Sequence, residues 1–277
     1  MHLTDFRELT GGGCVDAGLG TVTVKAGSTM MGHTGSVLRA RLGRVSAPVG
    51  TNAALTQYAG FATFREALCL GDGAGEKGTW TIDGTTTNTT LDVGDLVVGN
   101  GSVGSAWAAR SVIDHGCAHV RIVNDLLIAQ VPGSCGQYIC RKVTSNLIGG
   151  FAVKCATVGG SGTGLFVHQH GRVVIRGDLV LGRDTGSCGT YVVEEGVTPG
   201  EPSCLETHGL IVGERGGATL RILDPDLPIV VKDRIRFGSL ASATASDIVA
   251  GATLCLRGAS IEQKSTNAAA LEGLNNI

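Results

Sequence analysis

Residues 171–193 read GRVVIRGDLVLGRDTGSCGTYVV, and this stretch decides the fold. It has three parts: a β-branched run at Val173, Val174 and Ile175, an apolar run at Leu179, Val180 and Leu181 closed by Gly182, and a third run that starts after Gly189 and carries Tyr191. Each is apolar, β-branched or aromatic and bounded by Gly, Asp or Ser, which is the pattern of a short strand between turns. Three short strands and three turns are expected.

The same order recurs along the chain. Leu68, Cys69, Leu70 and Gly71 precede Gly78, Thr79 and Trp80, and the run 90–93 leads into Asp95, Leu96, Val97, Val98 and Gly99. Taking the residue that closes each apolar run as a marker gives Gly43, Gly71, Gly99, Ala129, Gly159, Gly182, Gly213 and Gly238; by subtraction the intervals are 28, 28, 30, 30, 23, 31 and 25. An aromatic two places after a second glycine recurs as Trp80, Tyr138, Phe166 and Tyr191, with Trp107 one place late after Gly104. Such an interval is too long for a hairpin and suits one coil of a parallel β-solenoid. Coils stack at the strand spacing of ~4.8 Å, so equivalent side chains form columns, and the four aromatics are expected to fill the interior.

Composition agrees. The chain has 277 residues with 44 glycines and only 6 prolines, and its mean hydropathy of +0.22 excludes disorder. Roughly ten coils would make one elongated body on the order of 50 Å long. The formal net charge of −2 sets up no basic field for nucleic acid and none for an anionic membrane. No apolar run approaches the ~18 residues of a spanning helix, and MHLTDFRELTGGG has no signal core, so neither membrane insertion nor an export signal is expected in this chain. Nine cysteines leave at least one unpaired or paired to another chain. Cys135 and Cys188 sit at one phase in GSCG turns two markers apart, about 10 Å in a regular stack and too far for a disulfide. Cys69 and Cys255 alternate with leucines as small fillers on the other face.

In chain order, residues 1–17 fall outside the repeat and are expected to cap the first coil, with DFREL starting a short helical or irregular segment. Residues 18–258 form the solenoid, most regular over 68–238; the coil at 43–71 is looser, with Phe61 and Phe64 standing in for the aromatic rung. The longest loops are expected at 194–208 and 224–228, where Pro199, Gly200, Pro202, Pro225 and Pro228 concentrate. Residues 259–277 are expected to form a C-terminal cap or tail. The fold class is thus all-β: a single parallel β-solenoid, or β-helix, with short terminal caps.

DLVVGNGSVG at 95–104, LCLGDGAGEKGTWTIDG at 68–84 and GDLVLGRDTGSCGTYVV at 177–193 together resemble the repeat shared by autotransporter passenger domains and PEP-CTERM-associated bacterial surface proteins. The resemblance covers about residues 68–238. It implies a right-handed parallel β-solenoid on a cell surface, serving as stalk, adhesin or matrix component, with no catalytic residues to carry over. The chain departs from that pattern in having no membrane barrel domain, no C-terminal anchoring helix and more cysteines and histidines, so it is read either as an excised piece or as the repeat reused in a filament or particle coat.

Several residue sets are candidates for chemistry. His168 and His170 would share one face of a strand, but the other candidates for a third metal ligand, His115 and His119 with Cys117 between them, are distant, and two exposed histidines are expected. Asp95, Asp125 and Asp178 share the place four before the marker, where Cys155 also falls; turn aspartates bonding their own backbone are expected rather than a calcium cage. Asp224, Asp226, Lys232, Asp233, Arg234 and Arg236 are the nearest thing to a polysaccharide-cleaving cluster, with the three cations on one face of a solvated strand. A threonine run at 85–90 and the pair Thr21 and Thr23 are too few for a repeated flat threonine face.

The expectation is therefore a non-catalytic structural or adhesive solenoid, with no catalytic, metal or cofactor-binding residues and no cofactor. It would lie outside the cell, on a cell surface or on a particle surface. Its partners would be copies of itself in an oligomer or filament, or surface glycans and other surface proteins, not nucleic acid. The other class kept open is a carbohydrate-active β-helix enzyme, which would show carboxylates converging in a groove.

Overall fold

The computed structural model of the chain describes residues 8–9, 14–18, 20–32, 37–48, 50–83, 89–101, 110–116, 118–141, 150–194, 204–223, 228–237, 252–256, 261–263 and 271–272. These residues form an all-β parallel solenoid built on two sheets. The short sheet stacks ten strands: Glu8–Leu9, Gly27–Met31, Ala53–Gln57, Thr79–Ile82, Ser111–His115, Cys135–Cys140, Thr163–His168, Cys188–Val193, Gly217–Ile222 and Ala252–Leu256. The long sheet runs through Cys14–Asp16, Val37–Val45, Gly60–Leu70, Thr89–Val98, His119–Ile128, Gly150–Val158, Arg172–Leu181, Cys204–Val212, Ile229–Phe237 and Ile261–Gln263. Thr21–Val24 pairs with Val37–Val45, and Leu271–Glu272 with Ile229–Phe237. Both sheets are parallel; one small antiparallel pair, Ala47–Pro48 with Glu76–Lys77, sits at a corner.

From Val37–Val45 to Ile229–Phe237 each coil therefore has two main strands, not three, while the first and last described rungs of the long sheet are split in two. Val173, Ile175, Leu179 and Leu181 all belong to one strand, Arg172–Leu181, because the charged interruption between them is a β-bulge and not a turn. At the N-terminal end Glu8–Leu9, within the DFREL stretch read as helical or irregular, and Cys14–Asp16 are the first strands of the two sheets; at the other end 261–263 and 271–272 both pair with Ile229–Phe237.

The bulge follows a rule. The inward residues that flank it are three apart in Thr89–Val98 (Val93, Leu96), four in His119–Ile128 (Ile122, Leu126), three in Gly150–Val158 (Val153, Ala156), four in Arg172–Leu181 (Ile175, Leu179) and three in Cys204–Val212 (Thr207, Leu210). Neighbouring coils are thus mismatched by one residue at every bulge, and the structural period is two coils. By subtraction, 53 residues separate His115 from His168, Cys135 from Cys188 and Tyr138 from Tyr191.

The marker residues form one column. Gly71, Gly99, Ala129, Gly159, Gly182 and Gly213 all close long strands at positive φ, and each N–H from Gly99 onward donates to the carbonyl of the preceding coil's last strand residue at 2.8–3.0 Å. Gly43 is not in this column. It lies inside Val37–Val45 opposite Leu68, where an added Cβ would come within 2.5 Å of the Phe64 ring. Gly238 lies outside the described residues. Ala129 holds φ 56° without being glycine. An L side chain in that region costs ~1–2 kcal/mol that glycine avoids, so Ala129→Gly is expected to raise the urea midpoint, by about 1 kcal/mol in unfolding free energy.

The interior is a set of ladders. Leu70, Val98, Ile128, Val158, Leu181 and Val212 stack in one column, and Leu68, Leu96, Leu126, Ala156, Leu179 and Leu210 in another, all fully or almost fully buried. Trp80, Tyr138, Phe166 and Tyr191 are all 0% exposed, in register on the short sheet. Tyr138 stacks on Phe166 at 5.0 Å, and Phe166 on Tyr191 at 4.8 Å, with near-parallel planes. In the looser coil Phe64 points inward against the edge of Trp80, Phe61 points out at 46% exposure, and Leu55 holds the aromatic position. Trp107 lies outside the described residues.

Candidate functional site

Inward positions are occupied by structure, including the histidines at 115 and 168. His168 ends its strand two residues after Phe166 and is therefore inward; its Nε2 donates to the Gly171 carbonyl at 2.8 Å and its Nδ1 accepts from the Tyr191 hydroxyl at 3.1 Å. His115 repeats the arrangement on Ala118 at 2.8 Å and Tyr138 at 3.2 Å. A ring nitrogen facing a carbonyl must carry the hydrogen, so the neutral imidazole presents its bare nitrogen to the tyrosine. Gln57, in the same column, clamps its own corner by donating to the carbonyls of Gly60 and Thr90 at 3.0 Å. Burial pushes the pKa of His115 down to about 4. His170 is buried just past the strand, so the pair is not an exposed one, and His119 is on the outer face. Among the described residues no three of His, Cys, Asp and Glu are grouped to hold a metal ion; Cys117 lies outside them.

The other sets resolve into ties between coils. Asp95 accepts from the backbone N–H of Asp125 in the next coil at 3.1 Å, not from its own turn, and Asp178 pairs with Arg234 at 2.5 Å. Lys232, Arg234 and Arg236 do point outward, and meet Glu206, Asp178 and Glu214. Asp224 and Asp226 lie outside the described residues, as do 85–88 of the threonine run and most of the loops 194–208 and 224–228. Thr23 and Thr89 are buried, which removes them from any exposed threonine face. Cys135 and Cys188 both pair with Thr163, which places them two rungs apart, and neither is in a disulfide. Cys69 faces outward, half-buried, its thiol pushed up to about 11 by burial and then by Asp72; the side chain of Cys255 is outside the description.

One feature of the outer face was not expected. On the long sheet, Thr90, His119, Gly150, Arg172 and Cys204 stack in one outward column, and Asp92, Arg121, Ala152, Val174 and Glu206 in the next. The middle rung carries only Gly150 and Ala152, so the rungs on either side stand as walls over a low floor. The result is a furrow of about 370 Å³ running along the strand direction. Its walls are cationic. Arg121 lies 3.3 Å from Asp92, and Arg172 lies 3.0 Å from Glu206, on the sides away from the floor. The His119 ring leans over Gly150, where an added Cβ would sit 3.2 Å from Nδ1. Along the same strands follow Lys154 and Arg176, exposed and, among the described residues, without an ion pair. The signal in the sequence was the pair of small outward residues, Gly150 and Ala152, between rungs rich in arginine, visible only once the register is known.

The carboxylates near the furrow do not converge. Asp92 and Glu206 are four rungs apart in their column, about 19 Å at the strand spacing. Lys232, and then Arg172, hold the Glu206 carboxyl below its ordinary range. At a corner, Asp184 accepts from Ser161 at 2.5 Å and meets Arg183 at 2.9 Å and Arg215 at 3.3 Å, and Arg183 foremost keeps it ionised. No family of known proteins, no curated protein and no solved structure matches the chain.

Proposed function

We propose that this protein is a non-catalytic structural or adhesive solenoid of a cell surface, extracellular filament or particle coat, acting by self-association and by presenting its corners and outer face. The observation that carries the reading is the placement of the carboxylates beside the furrow and at the Asp184 corner. A sugar-cleaving pair needs two carboxyls roughly 5–9.5 Å apart with one of them protonated, whereas Asp92 and Glu206 stand four rungs apart, Glu206 is held ionised by Lys232 and Arg172 of the neighbouring coils, and Asp184 is held ionised foremost by the adjacent Arg183. Carboxylates used this way are struts between coils. The resemblance of residues 68–84, 95–104 and 177–193 to the autotransporter and PEP-CTERM-associated repeat supports the surface setting. Self-association is supported by the sheet ends, since Glu8–Leu9 and Ala252–Leu256 are terminal in the strand order and paired on one side only among the described residues.

Negative-stain electron microscopy and sedimentation of the purified chain are expected to show rods that join end to end or side by side as concentration rises. Monomers at every concentration, together with release of new sugar ends from an acidic polysaccharide, would overturn the proposal in favour of an enzyme.

A further inference from the structure

We propose that the furrow over Gly150 and Ala152 binds a segment of acidic glycan, its acidic groups held by Arg121 and Arg172 and its length running on toward Lys154 and Arg176; this rests on the reading of the protein as a non-catalytic surface solenoid and names its partner. The charge decides the sign of the ligand. Arg121, Arg172, Lys154 and Arg176 surround or continue the furrow, Asp92 is the carboxylate lining it, and the Glu206 that Arg172 touches is already met by Lys232. Each guanidinium group meets its carboxylate through one nitrogen, on the side away from the floor, which leaves N–H donors for a second anion. The walls are two rungs, about 9.6 Å, apart, wide enough for one chain, and the volume lies within the usual range of small-ligand sites.

The chemistry of the floor decides the class of ligand. A peptide strand would need unpaired main-chain groups, and those of 119–122, 150–153 and 172–175 are engaged in the ladder. A nucleic acid is disfavoured because the chain's formal net charge of −2 sets up no extended basic field for a phosphate backbone, and no Phe, Tyr or Trp faces out of the furrow, Phe151 pointing inward at 2% exposure. Small apolar surface at Ala152 and Val174 with guanidinium groups on both sides suits the flat body and acidic substituents of a sugar chain. The bonds required are charge-assisted hydrogen bonds, with no covalent step.

The test is calorimetric titration of the full chain with a polyuronate oligosaccharide, a sulfated dextran and neutral dextran, with product formation followed in the same samples. One or both acidic chains are expected to bind and neutral dextran not to; which of them binds identifies carboxylate or sulfate as the recognised group. Affinity is expected to fall with added salt, and to fall about tenfold or more in Arg121→Gln and in Arg172→Gln. Ala152→Trp, which fills the furrow from the solvent side, is expected to abolish binding; if that variant does not fold, the double glutamine variant with an unchanged melting temperature takes its place. No binding of either acidic chain, equal binding of neutral dextran, or full affinity in folded furrow variants would overturn the site. Binding accompanied by cleavage would leave the site standing and overturn the non-catalytic reading instead.

Discussion

Phe166→Ala is expected to lower the unfolding free energy by about 3–5 kcal/mol, the range for removing a buried ring. Phe166 is fully buried, stacked between Tyr138 at 5.0 Å and Tyr191 at 4.8 Å, and meets the Phe151 ring edge-on at 5.7 Å. The two flanking rings cannot close over the gap, because each is fixed to its own rung by the ladder on both sides and by a hydroxyl bonded to a buried histidine. The void therefore persists, and its lining loses dispersion contacts as well as the transfer free energy of the ring. Urea unfolding followed by circular dichroism measures the effect; a loss under about 1 kcal/mol would mean that the aromatic column does not carry the core.

Acid should weaken the same region over a defined window. His115 is neutral in the fold, with its pKa pressed down to about 4 by burial against a solution value near 6.5. Above pH 6.5 neither state binds the proton and the stability is complete. Between 6.5 and 4 the unfolded chain takes up a proton that the native interior refuses, so stability falls with pH; below 4 both states are protonated and this loss stops growing. The total is about 3 kcal/mol. The strut carboxylates Asp184 and Glu206, whose pKa values are lowered, begin to give up their contribution near the lower end of this window and continue below it, so the comparison with a His115 variant is what separates the two causes. His115→Gln copies Gln57, which serves in the same column without titrating. Urea midpoints at pH 7, 5.5 and 4 are expected to fall less in the variant by about that amount; an equal fall in both proteins would remove His115 as the cause.

The coil was legible because stacking turns a repeated residue into a column: the glycines at 71, 99 and 182 and the four aromatics each announce a position that recurs in space. The bulge was not legible, since Arg176, Gly177 and Asp178 have the composition of a turn and nothing local says that the strand continues through them. Gly43 matched the marker by spacing but serves a neighbour, the Phe64 ring, that only the register supplies. The buried histidines carried a usable signal: Tyr138 and Phe166 face inward, and residues two further along a strand, Cys140 and His168, must face the same way. That parity outweighs the general preference of histidine for partial exposure. The furrow, by contrast, depends on which outward residues of three separate coils fall side by side, and small residues at 150 and 152 mean nothing until their neighbours are known.

The alternation of three- and four-residue bulges sets the quantum by which such a chain can lengthen or shorten. A single coil copied or lost would set two bulges of equal length against each other and leave the corner histidines out of step with their tyrosines, whereas a copied or lost pair would restore the sequence of junctions on both sides. Descent within this fold is therefore counted in pairs, and a relative of different length should differ from it by an even number of turns.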